Sequence, residues 1–344
     1  MSIATAPGPA PRAGDGEEDR ARGGGAGAAR PGAAPDAPPE AAPDSGPTAS
    51  VIVPTHARPG RLAELLASLA RQTLAPERFE VIVVDDGSPA GARPDDALAR
   101  GNVRLVRQVQ SGPAAARNRG AREARAPLLL FVDDDCLVEP DWVAALVDAH
   151  AAHPDALLGG ATRNGLPDNA CADAAEGLLA FLDAEALARG GALDFVASND
   201  IACARDRFFA IGGFDADYPL AAGEDRAFCR AWLDAGGAIR RVPGARVAHR
   251  HALDLAGFWR QQRNYGRGAA RFHGDGVGRV PAPLGFYARL LLHPLGRRGP
   301  SAPARLRAFA LTALSQLAVA SGAFAERRTL RLETAARASR GPPV

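Results

Sequence analysis

The apolar run Leu128-Leu129-Leu130-Phe131-Val132 ends on three consecutive aspartates, Asp133-Asp134-Asp135. A short hydrophobic run bounded by charge reads as a strand buried on both faces, the kind found in parallel sheets covered by helices. Two earlier runs have the same form. Val51-Ile52-Val53 is ended by Pro54-Thr55-His56, and Val81-Ile82-Val83-Val84 by Asp85-Asp86-Gly87-Ser88. Val103–Val106 supplies one more strand. Helical patterns lie between them. One begins near Pro59, a favoured first helical position, with Leu62, Leu65, Leu66 and Leu69 at helical spacing. A small-residue helix is expected over about 112–125 and another over about 140–151. This alternation through residues 50–160 predicts an α/β fold: a nucleotide-binding, mostly parallel sheet flanked by helices. The C-terminal strand ends of such a sheet meet along one edge, where ligands bind.

Three carboxylates at one strand end repel one another unless a cation sits among them. Mn²⁺ or Mg²⁺ takes oxygen ligands and often bridges to substrate phosphates. The competing reading is an acidic turn before the helix that opens at Pro140-Asp141. Asp85 or Asp86 can accept hydrogen bonds from a base or a ribose hydroxyl; equally, the pair can end a strand in a turn closed by Gly87.

Beyond residue 160 the pattern loosens. Gly, Asn and Asp punctuate residues 159–194, which read as loop. A strand is expected from Phe195 to Cys203, a helix from Gly223 to Ala235, and a strand over 238–248. His249 and His251 follow that strand two residues apart, so they share a side and could complete a metal site. Residues 1–48, dominated by Ala, Pro, Gly, Asp and Arg, read as a disordered tail. The division expected is that tail, a catalytic domain over 49–272, and a basic helical extension over 273–344.

Formal net charge is +2, which argues neither for nor against nucleic acid, and no nucleic-acid partner is expected. Residues 285–344 carry 10 arginines against two acids, a footprint for an anionic membrane surface or a phosphorylated partner. Within them, residues 308–325 are free of charge. Phe309, Leu311, Leu314, Leu317 and Phe324 fall largely on one side of a helix, so a buried or interfacial helix is favoured over a span. The four cysteines form no C-x-x-C pair and no secretory signal is visible, so a cytoplasmic location, with peripheral contact at the inner face of the membrane, is expected.

Six stretches in order resemble the family 2 glycosyltransferases. They are Val51–Arg58, Val83-Val84-Asp85-Asp86-Gly87-Ser88, Gly112–Asn118, Phe131-Val132-Asp133-Asp134-Asp135, Ile211-Gly212-Gly213-Phe214-Asp215 and Gly223-Glu224-Asp225. The resemblance implies a GT-A fold, an inverting mechanism and a nucleotide-sugar donor. It implies that Asp86 meets the nucleobase and Asp133 or Asp134 the ribose, with Pro54, Thr55 and Asp85 also among the nucleotide-binding residues. Asp135, with His249 or His251, would hold Mn²⁺ or Mg²⁺, and Arg117 would assist nucleotide binding. Asp225 would be the general base and Glu224 would orient it or the acceptor, although acids in a first helical turn also serve simply as caps.

The sequence departs from the family at Ala57, where Asn is common, and at His56, where Tyr is common. Residues 258–272 carry a weak version of the Q-x-x-R-W element of processive members, with Tyr265 in place of the tryptophan, so processive synthesis is not expected. The acceptor implied is a glycan or a lipid-linked hydroxyl in cell-envelope or exopolysaccharide synthesis. A nucleotidyltransferase would want a phosphate-cradling glycine loop after the first strand, and none is present. A non-catalytic carbohydrate-binding protein would not need Asp135 and Asp225 together. A dehydrogenase would need G-x-G-x-x-G, which is absent.

Overall fold

The computed structural model describes residues 46–92, 95–188, 193–218, 222–274, 283–297 and 299–339. Most of the expected N-terminal tail, residues 1–45, lies outside the described residues. The first half runs β1 (Ala49–Thr55), α1 (Pro59–Leu69), β2 (Phe79–Asp86), α2 (Asp95–Leu98), β3 (Val103–Gln108), α3 (Pro113–Glu123) and β4 (Leu128–Val132). The second half continues with β5 (Cys136–Val138), α4 (Trp142–Ala152), β6 (Ala156–Asn164), α5 (Ala170–Ala188), β7 (Asp200–Ala204), α6 (Arg205–Ala210), α7 (Glu224–Asp234) and β8 (Ala238–His249). Three helices close it: α8 (Leu255–Phe272), α9 (Leu284–Gly296) and α10 (Ala302–Ser339).

One eight-stranded sheet has the order β3-β2-β1-β4-β7-β6-β8-β5. The first four strands are parallel, as the apolar runs predict. Beyond β4 the sheet is mixed: β7 runs antiparallel to β4 and β6, and β5 antiparallel to β8, whereas β6 and β8 are parallel. Alternate residues of β1 and β2 serve two separate cores. Val51, Val53, Val81 and Val83 pack with Leu62, Leu65, Trp142 and Leu146 of α1 and α4. Ile52, Ile82 and Val84 pack with Ala114, Ala116, Phe208, Phe228 and Trp232 of α3, α6 and α7. The continuous apolar strands are therefore buried on both faces by the two-residue period. Gly120 lets α3 sit close on the sheet, since a Cβ there would lie 2.4 Å from the Ile52 side chain.

Several expectations need correction. Pro54 does not end β1 but lies inside it, because pairing with β4 stops at Ile52 and costs the ladder no donor there. Residues 159–194, expected as loop, contain most of β6 and all of α5. Gly159 and Gly160 mark close approach rather than a turn: added Cβ atoms would lie 2.3 Å from the Val196 side chain and from the Asp200 carboxylate. β7 begins only at Asp200, and Phe195 to Asn199 lead into it. On α10, Leu311, Thr312 and Ser315 are buried while Leu317 and Phe324 are exposed, so the apolar residues expected on one side are divided between the packed and the open faces. α10 packs against α8, α9 and α5.

Candidate active site

The C-terminal ends of β1, β2 and β4 form one rim. At β2, Asp85 is fully buried, its Oδ1 accepting from the Ser88 N–H and its Oδ2 from the Ala92 N–H. It clasps the loop that forms a wall of the rim. Asp86 accepts from the Ser111 and Gly112 N–H groups, each at 2.8 Å, and from Gln108. That ties β2 to the start of α3. Ala57 has φ 54°, a left-handed conformation that Asn tolerates better than Ala, and its N–H donates to Ser88 Oγ. The departure at position 57 thus falls where a residue suited to positive φ is wanted.

The aspartates after β4 point in different directions. Asp133 is partly exposed and accepts from Arg117 at 2.6 Å. Asp134 accepts from the Thr55 hydroxyl at 2.7 Å and from Arg58 at 3.1 Å. Burial, the largest influence on it, raises its carboxyl. Asp135 meets Arg58 at 3.3 Å, Arg61 at 3.2 Å and His249 Nε2 at 3.4 Å. Burial opposes its ionisation, but His249 and Arg58 hold it well below the usual carboxylate range. A cavity of about 190 Å³ opens beside Asp134 and Asp135, walled by Arg61, Glu64, Leu166 and Arg250.

Asp135, Cys136 and His249 bring ligand atoms within 4.8 Å of one another. Burial pushes the Cys136 thiol up, whereas an oxygen and an imidazole donor are the ones a hard divalent cation favours. That pair suits Mn²⁺. Glu176 of α5 meets His249 Nδ1 at 3.1 Å, the outer contact that orients a ligating imidazole. Burial would lower the His249 imidazole, but Asp135 and Glu176 outweigh it and push it up to about 10. His251 lies beside it, ring centroids 5.5 Å apart, with Gln261 Nε2 at 3.3 Å from its Nδ1. Burial lowers His251 despite Asp135. Glu176 carries no signal in the sequence, since the Gly, Asn and Asp of residues 159–194 mask the helix that presents it.

Glu224 and Asp225 open α7 behind Gly223, whose φ of 95° turns the chain into the helix. Arg117 of α3 is 2% exposed and reaches both Asp133 and Glu224, at 2.6 and 3.2 Å. It therefore joins the β4 edge to the start of α7, reaching a glutamate 107 residues beyond itself in sequence. Glu224 is buried and its Oε2 has no hydrogen-bond partner. Burial and the Asp225 charge raise its carboxyl against the pull of Arg117. Asp225 is half-buried, accepts from the Arg226 N–H, and is likewise raised by burial. Burial raises the Tyr265 hydroxyl of α8, and the charges of Asp225, Glu176 and Glu224 add to the rise.

The model for glycosyl transferase family 2 matches residues 50–176. The chain is 45% identical over 109 residues to a validoxylamine A glucosyltransferase of Streptomyces hygroscopicus subsp. limoneus, covering 30% of this chain and 23% of that protein. It is 29% identical over 228 residues to a pre-mycofactocin glycosyltransferase of Mycobacterium tuberculosis, covering 64% of this chain and 46% of the relative. The chain thus spans between about a quarter and a half of the length of these curated relatives. Among solved structures it is similar to a mannosyltransferase from Pyrobaculum calidifontis in complex with GDP-Man and Mn²⁺, with a TM-score of 0.54 and 21% identity. That match covers 86% of this chain and 85% of the other, and shows a shared fold. The match over residues 50–176 makes this part of the chain similar to glycosyl transferase family 2, and the solved structure shows that the fold is shared.

Proposed function

We propose that this chain is a metal-dependent, inverting glycosyltransferase that moves a sugar from a nucleotide-sugar to a hydroxyl acceptor. The observation that carries the reading is the Arg117 bridge, which brings the aspartate edge and the Glu224-Asp225 pair into one site. The similar Pyrobaculum enzyme, solved with GDP-Man and Mn²⁺, supports a nucleotide-sugar donor and a cation. In this reading Pro54, Thr55 and Asp86 flank the nucleobase, with Asp85 shaping their loop. Asp133 and Asp134 face the ribose, and Arg117 serves the donor by fixing Asp133. Asp135 and His249, with His251 adjacent, would hold Mn²⁺ or Mg²⁺, which supplies Lewis-acid stabilisation of the leaving diphosphate.

Asp225 accepts the proton of the acceptor hydroxyl as its oxygen attacks the anomeric carbon opposite the leaving group. Glu224, held by Arg117, sets the angle of the α7 start and hence of Asp225. The catalytic domain is 49–272 and the helical extension 273–344. The basic extension supports a glycan or lipid-linked acceptor in cell-envelope or exopolysaccharide synthesis, at the cytoplasmic side of a membrane. Calorimetry of the protein with nucleoside diphosphates and Mn²⁺ tests the donor reading, and absence of cation-dependent binding would sink it. Asp225→Asn should lower transfer by about 10²–10⁴-fold while leaving diphosphate affinity within a few-fold. Equal loss of both would make Asp225 structural.

A further inference from the structure

The outward face of α10 has a pattern that the site chemistry does not use. Leu306, Leu317 and Phe324 are 62%, 64% and 74% exposed. Their spacings of 11 and 7 residues place them on one line along the helix, together with exposed Ala310 and Ala320. The line runs about 27 Å at 1.5 Å per residue. No acid occurs from Ala302 to Ala325. Exposed Arg307 stands near one end, and exposed Arg327, Arg328 and Arg331 stand at the other. We propose that this face lies flat on an anionic lipid surface, its apolar line in the acyl boundary and its arginines among the headgroups. The inference rests on the transferase reading with a lipid-linked acceptor, and names the surface that meets the lipid.

Charge decides between the occupants. A second copy docked by the same face would set arginines against arginines in either direction. Parallel helices align each cluster with itself, and antiparallel helices align Arg307 with Arg327, Arg328 and Arg331. An anionic surface neutralises all of them, and long arginine side chains cover apolar surface while keeping their heads in the polar layer. α10 is long and apolar enough to cross a membrane by length and composition. Its opposite face, however, is committed to α8. Buried Glu326 accepts from Arg267 at 2.8 Å and from Arg271 at 2.7 Å, and an added Cβ at Gly322 would lie 1.9 Å from the Arg263 carbonyl oxygen. A span would strip those partners away, so the helix lies on the surface instead.

The test is sedimentation of the full chain with vesicles of phosphatidylcholine alone and of phosphatidylcholine with phosphatidylglycerol. Binding is expected only to the anionic vesicles, with release by high salt. The triple variant Arg327→Gln, Arg328→Gln, Arg331→Gln should bind about a hundredfold more weakly. Leu317→Asp with Phe324→Asp should also lose binding, while circular dichroism and melting stay as in the parent. No binding to anionic vesicles would overturn the proposal. So would retention of binding in both variants, resistance to high salt as in a spanning helix, or dimerisation in light scattering that the same variants abolish. Diphosphate binding with Mn²⁺, measured on the same samples, separates this outcome from failure of the transferase reading.

Discussion

Replacing Arg117 by methionine should be among the costliest single changes in this protein, and its cost should depend on pH. The guanidinium is buried and bonds Asp133 at 2.6 Å and Glu224 at 3.2 Å. Methionine fills similar volume without the charge. Asp133 is partly exposed and can turn to water, but the Glu224 side chain is only 4% exposed and cannot. Removing one partner of a buried pair costs about 3–5 kcal/mol, because a charge is left uncompensated. At about 2–4 °C per kcal/mol for a domain of this size, Tm should fall by roughly 6–20 °C. Glu224 and Asp225 already have raised carboxyls in the folded protein, so folding binds extra protons as pH falls through their folded values. Without Arg117 both rise further. The variant therefore gains more from acidification than the parent, and the gap should be wide at pH 8 and narrower at pH 5. Urea denaturation at the two pH values, followed by circular dichroism, measures it. The exposed pair Arg119–Glu123, broken by Arg119→Met, should cost less than about 1 kcal/mol and serves as the comparison. An Arg117→Met loss below 1 kcal/mol, or one equal at both pH values, would refute the argument that a buried cation holds the two acids together.

Cation binding should displace a proton from the site. His249 is pushed up to about 10 and so is protonated at pH 7.5, yet imidazole ligates only when neutral. Calorimetry of Mn²⁺ binding in buffers of different ionisation enthalpy should show release of about one proton per cation at pH 7.5, and no release would mean that His249 is not a ligand. The same shift makes the His249 contribution to stability complete below its ordinary value of 6.5 and lost as pH rises toward 10. Gly322→Ala should separate α8 from α10, costing about 1–3 kcal/mol or more by overpacking, and a melting temperature unchanged from the parent would show that the crossing has slack.

The β1–β4 half of the sheet was legible in sequence because β1, β2 and β4 are short apolar runs that stop at a proline or at aspartates. Each is a complete signal within a few residues. β6 and α5 were not legible for the opposite reason. Gly159 and Gly160 look like a turn until Val196 and Asp200 are seen to occupy the space their side chains would need. Missing α5 also hid Glu176, whose importance lies in its distance from His249, 3.1 Å in space and 73 residues in sequence. Asp85 and Asp86 show another limit. Residue type and position marked them as important, but which backbone N–H groups claim their oxygens depends on how the loops after β2 and β3 fold together. Which face of α10 packs was not legible, because small residues pack more closely than large ones: Thr312 and Ser315 are buried, an added Cβ at Gly322 would meet the α8 backbone, and Phe324 is exposed.

The glycine contacts of α8 have a consequence for how such a protein can vary. An added Cβ at Gly266 would lie 2.0 Å from the Val319 carbonyl oxygen of α10, and one at Gly268 would lie 2.2 Å from the Ala222 carbonyl oxygen, two residues before Glu224. Backbone thus rests on backbone from the outer helix to the start of α7, with no flexible side chain between to absorb a displacement. Tilting α10 by the width of a methyl group would move Asp225. Under the proposed reading, attachment through α10 and turnover at Asp225 are therefore linked, and a substitution that alters the tilt of the last helix would alter transfer with every residue of the site intact.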